Sequence, residues 1–158
     1  MYKRQAFNDY DKALPLHHDA LTVFEQSLGP EHPYTARCLA GLGHLYKVMG
    51  DYNSAFPLYT WALDIQTKSY GPEHAVTLTT MNNLGSVYEG LGEYAKAETL
   101  LEKALEIRKK TIGSDKAETA GVEDNLAVVY SRMGNLNKAV PMEAVSYTHL
   151  TLPTIYSV

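Results

Sequence analysis

The amino-acid sequence predicts an all-α fold, an α-solenoid built from antiparallel helix pairs. Three observations indicate it: helix–turn–helix segments recur every 42 residues, their apolar residues recur every three or four positions, and their connections are a few residues long. One amphipathic helix pair cannot bury its apolar surface alone, so a fixed period of this size is typical of stacked repeats. The short connections make consecutive helices antiparallel neighbours.

The segment Asn82–Leu105, with the sequence NNLGSVYEGLGEYAKAETLLEKAL, is the clearest copy of the repeat. Its pattern predicts a helix, a tight turn that contains glycine, and a second helix. Three of its positions recur at the same interval along the chain, as Tyr46, Tyr88 and Tyr130; as Gly50, Gly92 and Gly134; and as Ala13, Ala55, Ala97 and Ala139. These positions set the register for the rest of the chain.

The helices follow from this register in order. We predict them over about residues 10–28, 34–49, 52–69, 76–91, 94–111 and 118–133, with a seventh that begins near residue 136. Residues 1–9 are interpreted as the end of an earlier helix, and Asn8-Asp9 takes the place of the turn at Gly50-Asp51, since asparagine tolerates the left-handed conformation.

The connections between pairs form a second repeated motif. Gly29-Pro30-Glu31-His32 and Gly71-Pro72-Glu73-His74 each end one helix, because glycine suits the C-cap and proline cannot continue a helix. Gly113-Ser114-Asp115-Lys116 is a degraded third copy. We expect His32 and His74 to have a capping or packing role. The predicted array therefore covers residues 1–144, as a partial repeat (1–28), full repeats (34–69 and 76–111) and a repeat at 118–144 that is truncated in its second helix.

The pattern stops in mid-helix at Val145. Residues 145–158 contain no charged side chain except for the ionisable His149, and they include a proline. Residues 145–154 resemble the conceptual translation of a transposase-type sequencing adapter, which implies a non-native or disordered tail; a natural polar extension is the alternative. Together with the incomplete first repeat, this tail indicates a piece of a longer array.

Composition narrows the classes of partner. The chain has 158 residues, 45% of them hydrophobic, a net charge of −4 and one cysteine. An acidic chain disfavours nucleic acid and anionic membranes as partners, since those need clustered lysine and arginine. No apolar run is long enough to span a bilayer, no signal peptide is visible, and a lone cysteine fits a reducing compartment, so we expect a cytoplasmic protein.

The repeat resembles a known family. Its pattern of aromatic and small residues resembles the tetratricopeptide repeat, at positions Leu84, Gly85, Tyr88, Gly92, Tyr94, Ala97 and Ala104. The usual period is about 34 residues, and the 42-residue period with its Gly-Pro-Glu-His connection is similar to the kinesin light chain type. The resemblance covers about residues 2–144. It implies a right-handed superhelix whose ligand lies in the groove lined by the first helix of each repeat.

Helical-wheel phase indicates which side chains face that groove. Taking Leu42 as the centre of the buried stripe, the candidate peptide-binding residues are Arg37, His44, Lys47, Thr79, Asn82, Asn83, Ser86, Asn125, Val128 and Arg132. Asn83 and Asn125 are equivalent, and the resemblance implies that such an asparagine grips a peptide backbone, with one donor and one acceptor. The alternative is that both asparagines brace adjacent repeats. The cations among the candidates either meet acidic ligand groups or are solvated, and a complete carboxylate clamp is absent.

The predicted function is a non-catalytic scaffold for a peptide or protein segment, with no cofactor. His17 and His18 are adjacent and cannot share a metal on one helix face, and Cys38 lacks the partners of a nucleophile. Two alternatives remain open. One is a sensor or regulatory arm of a larger signalling enzyme such as an NTPase, and the other is a structural spacer.

Overall fold

A computed structural model describes residues 2–111 and 117–139. Six helices lie within them: α1 (Tyr2–Leu28), α2 (Pro33–Val48), α3 (Tyr52–Tyr70), α4 (Ala75–Gly90), α5 (Tyr94–Thr111) and α6 (Ala117–Arg132). Residues 136–139 are helical and begin a further helix. The bounds of α2 to α6 fall within one residue of the predicted ones. The predicted connection at 113–116 and the predicted tail at 145–158 lie outside the described residues.

The turn inside each helix pair is a Schellman motif. Gly50, Gly92 and Gly134 have φ angles of 81°, 77° and 76°, a left-handed conformation that glycine adopts without steric cost. The next residue then donates its N–H to the carbonyl of the repeated tyrosine, as in Asp51 to Tyr46 at 2.9 Å. These bonds satisfy carbonyls at the helix end that would otherwise be unpaired, so each glycine closes a pair at a fixed angle.

The predicted turn at Asn8-Asp9 is wrong, because α1 runs without interruption from Tyr2 to Leu28. In the other copies a glycine takes the positive φ angle, whereas no described residue other than glycine has one. Without a glycine, the helical conformation of Asn8 is favoured over the left-handed turn. The repeat register therefore located the equivalent residues, but the turn depends on the glycine itself.

The repeated histidines cap helices, which confirms the expected capping role. His32 Nδ1 accepts the Tyr34 N–H at 3.1 Å, and His74 Nδ1 accepts the Val76 N–H at 3.3 Å. Each satisfies an N–H group at a helix start that has no partner within the helix.

The helices stack as an all-α solenoid, which confirms the predicted fold class. Each described helix packs against the next, and α2 also contacts α4, as α4 contacts α6. Among the described helices, α1, α3 and α5 have no close backbone contact with one another. The first helices of the repeats are thus closer together and line the inner groove, while α1, α3 and α5 form the outer face.

The seam inside each pair depends on a small residue opposite a large one. Gly43 faces the ring of Tyr59, and Gly85 faces Leu101, the equivalent residue one repeat later. Tyr59 and Leu101 are both fully buried. The glycines allow the two helices of a pair to approach closely. No helix among the described residues is both long enough and apolar enough to cross a membrane.

Tyr59→Phe is expected to raise the free energy of unfolding by about 1 kcal/mol, because a buried hydroxyl without a hydrogen bond is unfavourable. The Tyr59 side chain is fully buried, its hydroxyl has no hydrogen-bond partner among the described residues, and burial raises its pKa. Tyr130→Phe is the matched control: that hydroxyl donates to Glu102 Oε1 at 2.7 Å, so its loss should destabilise the chain. Urea denaturation measures both, and a loss of stability in Tyr59→Phe would contradict the prediction.

Candidate functional site

Polar side chains join neighbouring repeats across the inner groove. Lys47 Nζ on α2 donates to Asn83 Oδ1 on α4 at 2.7 Å, and Asn125 Nδ2 on α6 donates to Asn82 Oδ1 at 2.8 Å. Burial lowers the pKa of Lys47. The groove is therefore crossed by hydrogen bonds at both steps between the described repeats, and four of the predicted site residues make them.

These bonds engage Asn83 and Asn125 in bracing the repeats, one of the two roles that the sequence left open. Each amide still has unused capacity. The Asn83 carbonyl accepts from Lys47 while its NH₂ group can donate, and the Asn125 NH₂ group donates while its carbonyl can accept. Contact with a peptide therefore stays a prediction that is compatible with bracing.

A cavity of about 540 Å³ opens in the groove between α2 and α4. It unites residues from five helices: Arg37, Ala40 and Gly41 from α2; Gln66 from α3; Ala75, Val76, Thr79, Thr80 and Asn83 from α4; Arg108 from α5; and Glu118 from α6. Of the predicted site residues, Arg37, Thr79 and Asn83 line it. The remaining predicted residues lie elsewhere along the helices that line the groove.

Three polar side chains in the cavity lining are almost completely buried, and besides Thr80 they are Gln66 and Arg108. Arg108 is 4% exposed and Gln66 is 1% exposed. Arg108 Nη2 donates to Thr79 Oγ1 at 3.1 Å, but Arg108 Nε and Gln66 Oε1 have no hydrogen-bond partner among the described residues. Burial lowers the pKa of Arg108, and the nearby charge of Glu118 raises it. A buried guanidinium without an ion pair favours an incoming hydrogen-bond acceptor.

Sequence reasoning missed Gln66 and Arg108. The helical wheel places Arg108 in the buried stripe of α5 with Leu101 and Ala104. The usable signal was an arginine at a core position, one repeat after Gln66. A buried arginine needs a hydrogen-bond or ion-pair partner, and such a partner can reach the arginine at the boundary between repeats.

The other predicted site residues lie along the helices that line the groove. Ser86 Oγ donates to the Asn82 carbonyl oxygen at 3.3 Å, Arg132 Nε lies 3.2 Å from Glu89 Oε1, and Val128 is exposed. Partial burial and, secondarily, the charge of Lys47 lower the pKa of His44. His44 would therefore meet a ligand at neutral pH as an uncharged imidazole rather than as a cation.

Cys38 is part of the packing around α1. Its thiol is half-buried, Sγ lies 3.7 Å from the His17 carbonyl oxygen, and burial raises its pKa. A raised pKa reduces the thiolate fraction and hence reactivity. Within the described residues, no group of three histidine, cysteine, aspartate or glutamate side chains could hold a metal ion.

Comparison with protein families decides the classification. The sequence profile described as "Tetratricopeptide repeat" matches residues 4–68, 41–110 and 77–150. The chain belongs to the tetratricopeptide repeat family. The last match extends past residue 144 into the segment for which we predict a foreign origin, and that boundary stays a prediction. No curated protein matches the chain.

Solved structures of similar fold agree with this classification. The structure of a putative kinesin light chain with nearly identical repeats from Podosopora anserina is 25% identical, with a TM-score of 0.81 over 97% of this chain and 73% of that one. BtubC (BKLC) from P. vanneervenii is 23% identical, with a TM-score of 0.80 over 96% of this chain. MamA is 20% identical, with a TM-score of 0.62 over 93% of this chain and 72% of that one. The last two likenesses show the fold alone. This chain spans 61% of the BtubC structure.

Proposed function

We propose that this chain is a non-catalytic scaffold that holds an extended, acidic peptide segment in the groove formed by α2, α4 and α6. The observation that carries the proposal is the cavity around Arg108, which is buried and has no ion pair among the described residues. A ligand carboxylate placed there would form a charge-assisted hydrogen bond with the unpaired Nε–H. The same contact would relieve an unfavourable buried charge.

Charge along the groove supports an acidic ligand. The exposed Arg37 lines the mouth of the cavity, and Lys47 follows on the same helix. Glu118, from α6, is the acidic residue of the lining. The lining thus has two guanidinium groups and one carboxylate, and this excess of positive charge favours an acidic side chain over a basic one.

The peptide backbone would run past Asn83 and Asn125. The two residues occupy equivalent positions on α4 and α6, and each amide has a hydrogen-bonding group left for a ligand. An amide can pair with one N–H and one C=O of an extended chain, so the equivalent positions would contact the peptide at regular intervals.

Asn83→Ala combined with Asn125→Ala is expected to weaken peptide binding at least about tenfold, which corresponds to about 1.4 kcal/mol. The probe is a fluorescent peptide selected against the folded chain from a random display library, and fluorescence anisotropy gives its Kd. Both substitutions also remove a hydrogen bond between repeats, so thermal unfolding is measured alongside.

A matched pair separates binding from bracing. Asn125→Ala and Asn82→Ala remove the same inter-repeat hydrogen bond from its two ends. If Asn125 contacts the peptide and Asn82, also a candidate from the sequence, only braces the repeats, Asn125→Ala weakens binding several-fold more than Asn82→Ala, whereas both lower stability similarly. Equal Kd values for the two single variants and for the double variant Asn83→Ala, Asn125→Ala would leave bracing as the sole role of these asparagines and overturn the proposal.

The location of the whole protein and the domains attached to it need separate evidence, because this chain spans only part of the BtubC structure. A cytoplasmic location and the alternative of a regulatory arm on a signalling enzyme both remain proposals. Recovery of the full-length gene tests the latter, since a P-loop motif in the adjoining sequence would favour it.

A further inference from the structure

A second cleft lies on the outer face of the solenoid and shares no lining residue with the cavity in the groove. Its volume is about 560 Å³, and it is lined by Tyr88, Ala95, Lys96, Thr99, Leu100 and Lys103. All but Tyr88 belong to α5. Leu100 and Tyr88 are half-buried and provide an apolar floor, while the two lysines are exposed at the rim. The cleft therefore combines an apolar surface with positive charge.

Lysines recur along the same side of α5. Lys96, Lys103 and Lys110 are seven residues apart, so they lie on one side of the helix. Lys96 Nζ pairs with Glu93 at 3.1 Å, whereas Lys103 and Lys110 make no ion pair with any described residue. The whole chain has a net charge of −4. The exposed Glu106 lies on the same side between Lys103 and Lys110, so the positive charge at the cleft itself comes from Lys96 and Lys103.

The repeat pattern accounts for Lys96, which recurs as Lys12 and Lys138, but not for Lys103. One repeat earlier, on α3, the positions equivalent to Lys96 and Lys103 hold Ser54 and Trp61. The position of Lys103 also holds Asp19 two repeats earlier and Val145 one repeat later, so Lys103 is the lysine of the cleft that belongs to this one repeat, and we attribute it to a local interaction.

Tyr88 differs from its two counterparts in the same way. The Tyr46 hydroxyl lies 3.2 Å from His18 Nε2, and the Tyr130 hydroxyl donates to Glu102 Oε1 at 2.7 Å. The residue equivalent to His18 and Glu102 in the middle repeat is Thr60, whose hydroxyl donates to the Phe56 carbonyl instead. Among the described residues, the Tyr88 hydroxyl has no hydrogen bond, and it is left for a ligand.

We propose that this cleft is a second docking surface and that its occupant is an acidic polypeptide segment with one aliphatic side chain. A carboxylate of that segment pairs with Lys103 and accepts from the Tyr88 hydroxyl, while the aliphatic side chain packs on Leu100. Nucleic acid fits less well. Three lysines spread over about 21 Å of helix are sparse against a duplex, which carries one charge per about 1.7 Å.

The test is an NMR titration of the full chain with the fluorescein-labelled peptide EELEE as the probe. Amide resonances of Thr99 and Lys103 are expected to shift. Lys103→Glu should weaken binding about tenfold by reversing a charge at the contact, and Tyr88→Phe about threefold by removing one hydrogen bond. Lys12→Glu makes the same charge change on α1 and should alter the Kd less than about twofold.

Three results would overturn the proposal. The first is a set of shifts confined to groove residues such as Asn83 and Asn125, and the second is an equal effect of Lys103→Glu and Lys12→Glu. The third is binding of single-stranded DNA or phosphatidylserine vesicles that depends on Lys103 when the peptide does not bind. Because the groove variants leave Lys103 unchanged, failure of the groove proposal does not affect this measurement.

Discussion

Gly85→Ala is expected to lower the free energy of unfolding by about 2 to 3 kcal/mol, the usual cost of overpacking a core. A Cβ atom at position 85 would lie 2.5 Å from Cγ and Cδ2 of Leu101, which is fully buried. The gain in helix propensity from glycine to alanine, about 1 kcal/mol, is too small to offset this clash. The substitution should also separate α4 from α5.

Gly121→Ala is the matched control. Gly121 lies in α6, and a Cβ atom there would meet no heavy atom within 4 Å. The same substitution should therefore stabilise the chain by about 1 kcal/mol through helix propensity alone. Chemical denaturation of both variants measures the difference, and a shift of both midpoints in the same direction would rule out the packing explanation.

Lys109→Ala is expected to destabilise the chain by about 3 kcal/mol, since it leaves a buried carboxylate without its partner. Glu123 is 7% exposed, and its Oε1 lies 2.7 Å from Lys109 Nζ. This ion pair joins α5 to α6, and thus one repeat to the next. The sequence offered no explanation for a glutamate at this position, and the contact with Lys109 provides one.

Replacing Glu123, the other partner of this ion pair, should stabilise the chain rather than destabilise it. Glu123 stands where Leu39 and Met81 stand in the preceding repeats, and both of those residues are buried. Glu123→Met replaces a buried charge by an apolar side chain and frees Lys109, which is 42% exposed, to be solvated. We expect a change between zero and about 1 kcal/mol of added stability. A loss as large as that of Lys109→Ala would mean that the pair itself is strongly stabilising.

Helix bounds were predictable to within a residue for α2 to α6, because glycine and proline mark the ends and apolar spacing marks the interior. The wrong prediction of a turn at Asn8-Asp9 also depends on glycine, which is missing there. The register identified the turn position, but only glycine adopts the left-handed conformation there without steric cost. A position in a repeat therefore predicts a turn less well than the residue that occupies it.

The groove was predictable in part. Wheel phase identified side chains that do not face the buried stripe, and Lys47, Asn82, Asn83 and Asn125 do lie at the boundary between repeats. Their mutual hydrogen bonds were not predictable, because these bonds join side chains 36 and 43 residues apart whose distance depends on how the repeats stack.

The sequence by itself determined the period, the helix pairs, the capping histidines and the family, since each of these follows from local backbone chemistry repeated along the chain. Only the tertiary structure decided which buried polar groups meet. Gln66 and Arg108 belong to the core stripes of their own helices, and they reach one cavity only because stacked repeats bring the ends of α3 and α5 to the starts of α4 and α6. A helical wheel describes one helix at a time, whereas a cavity between repeats depends on the relative position of several.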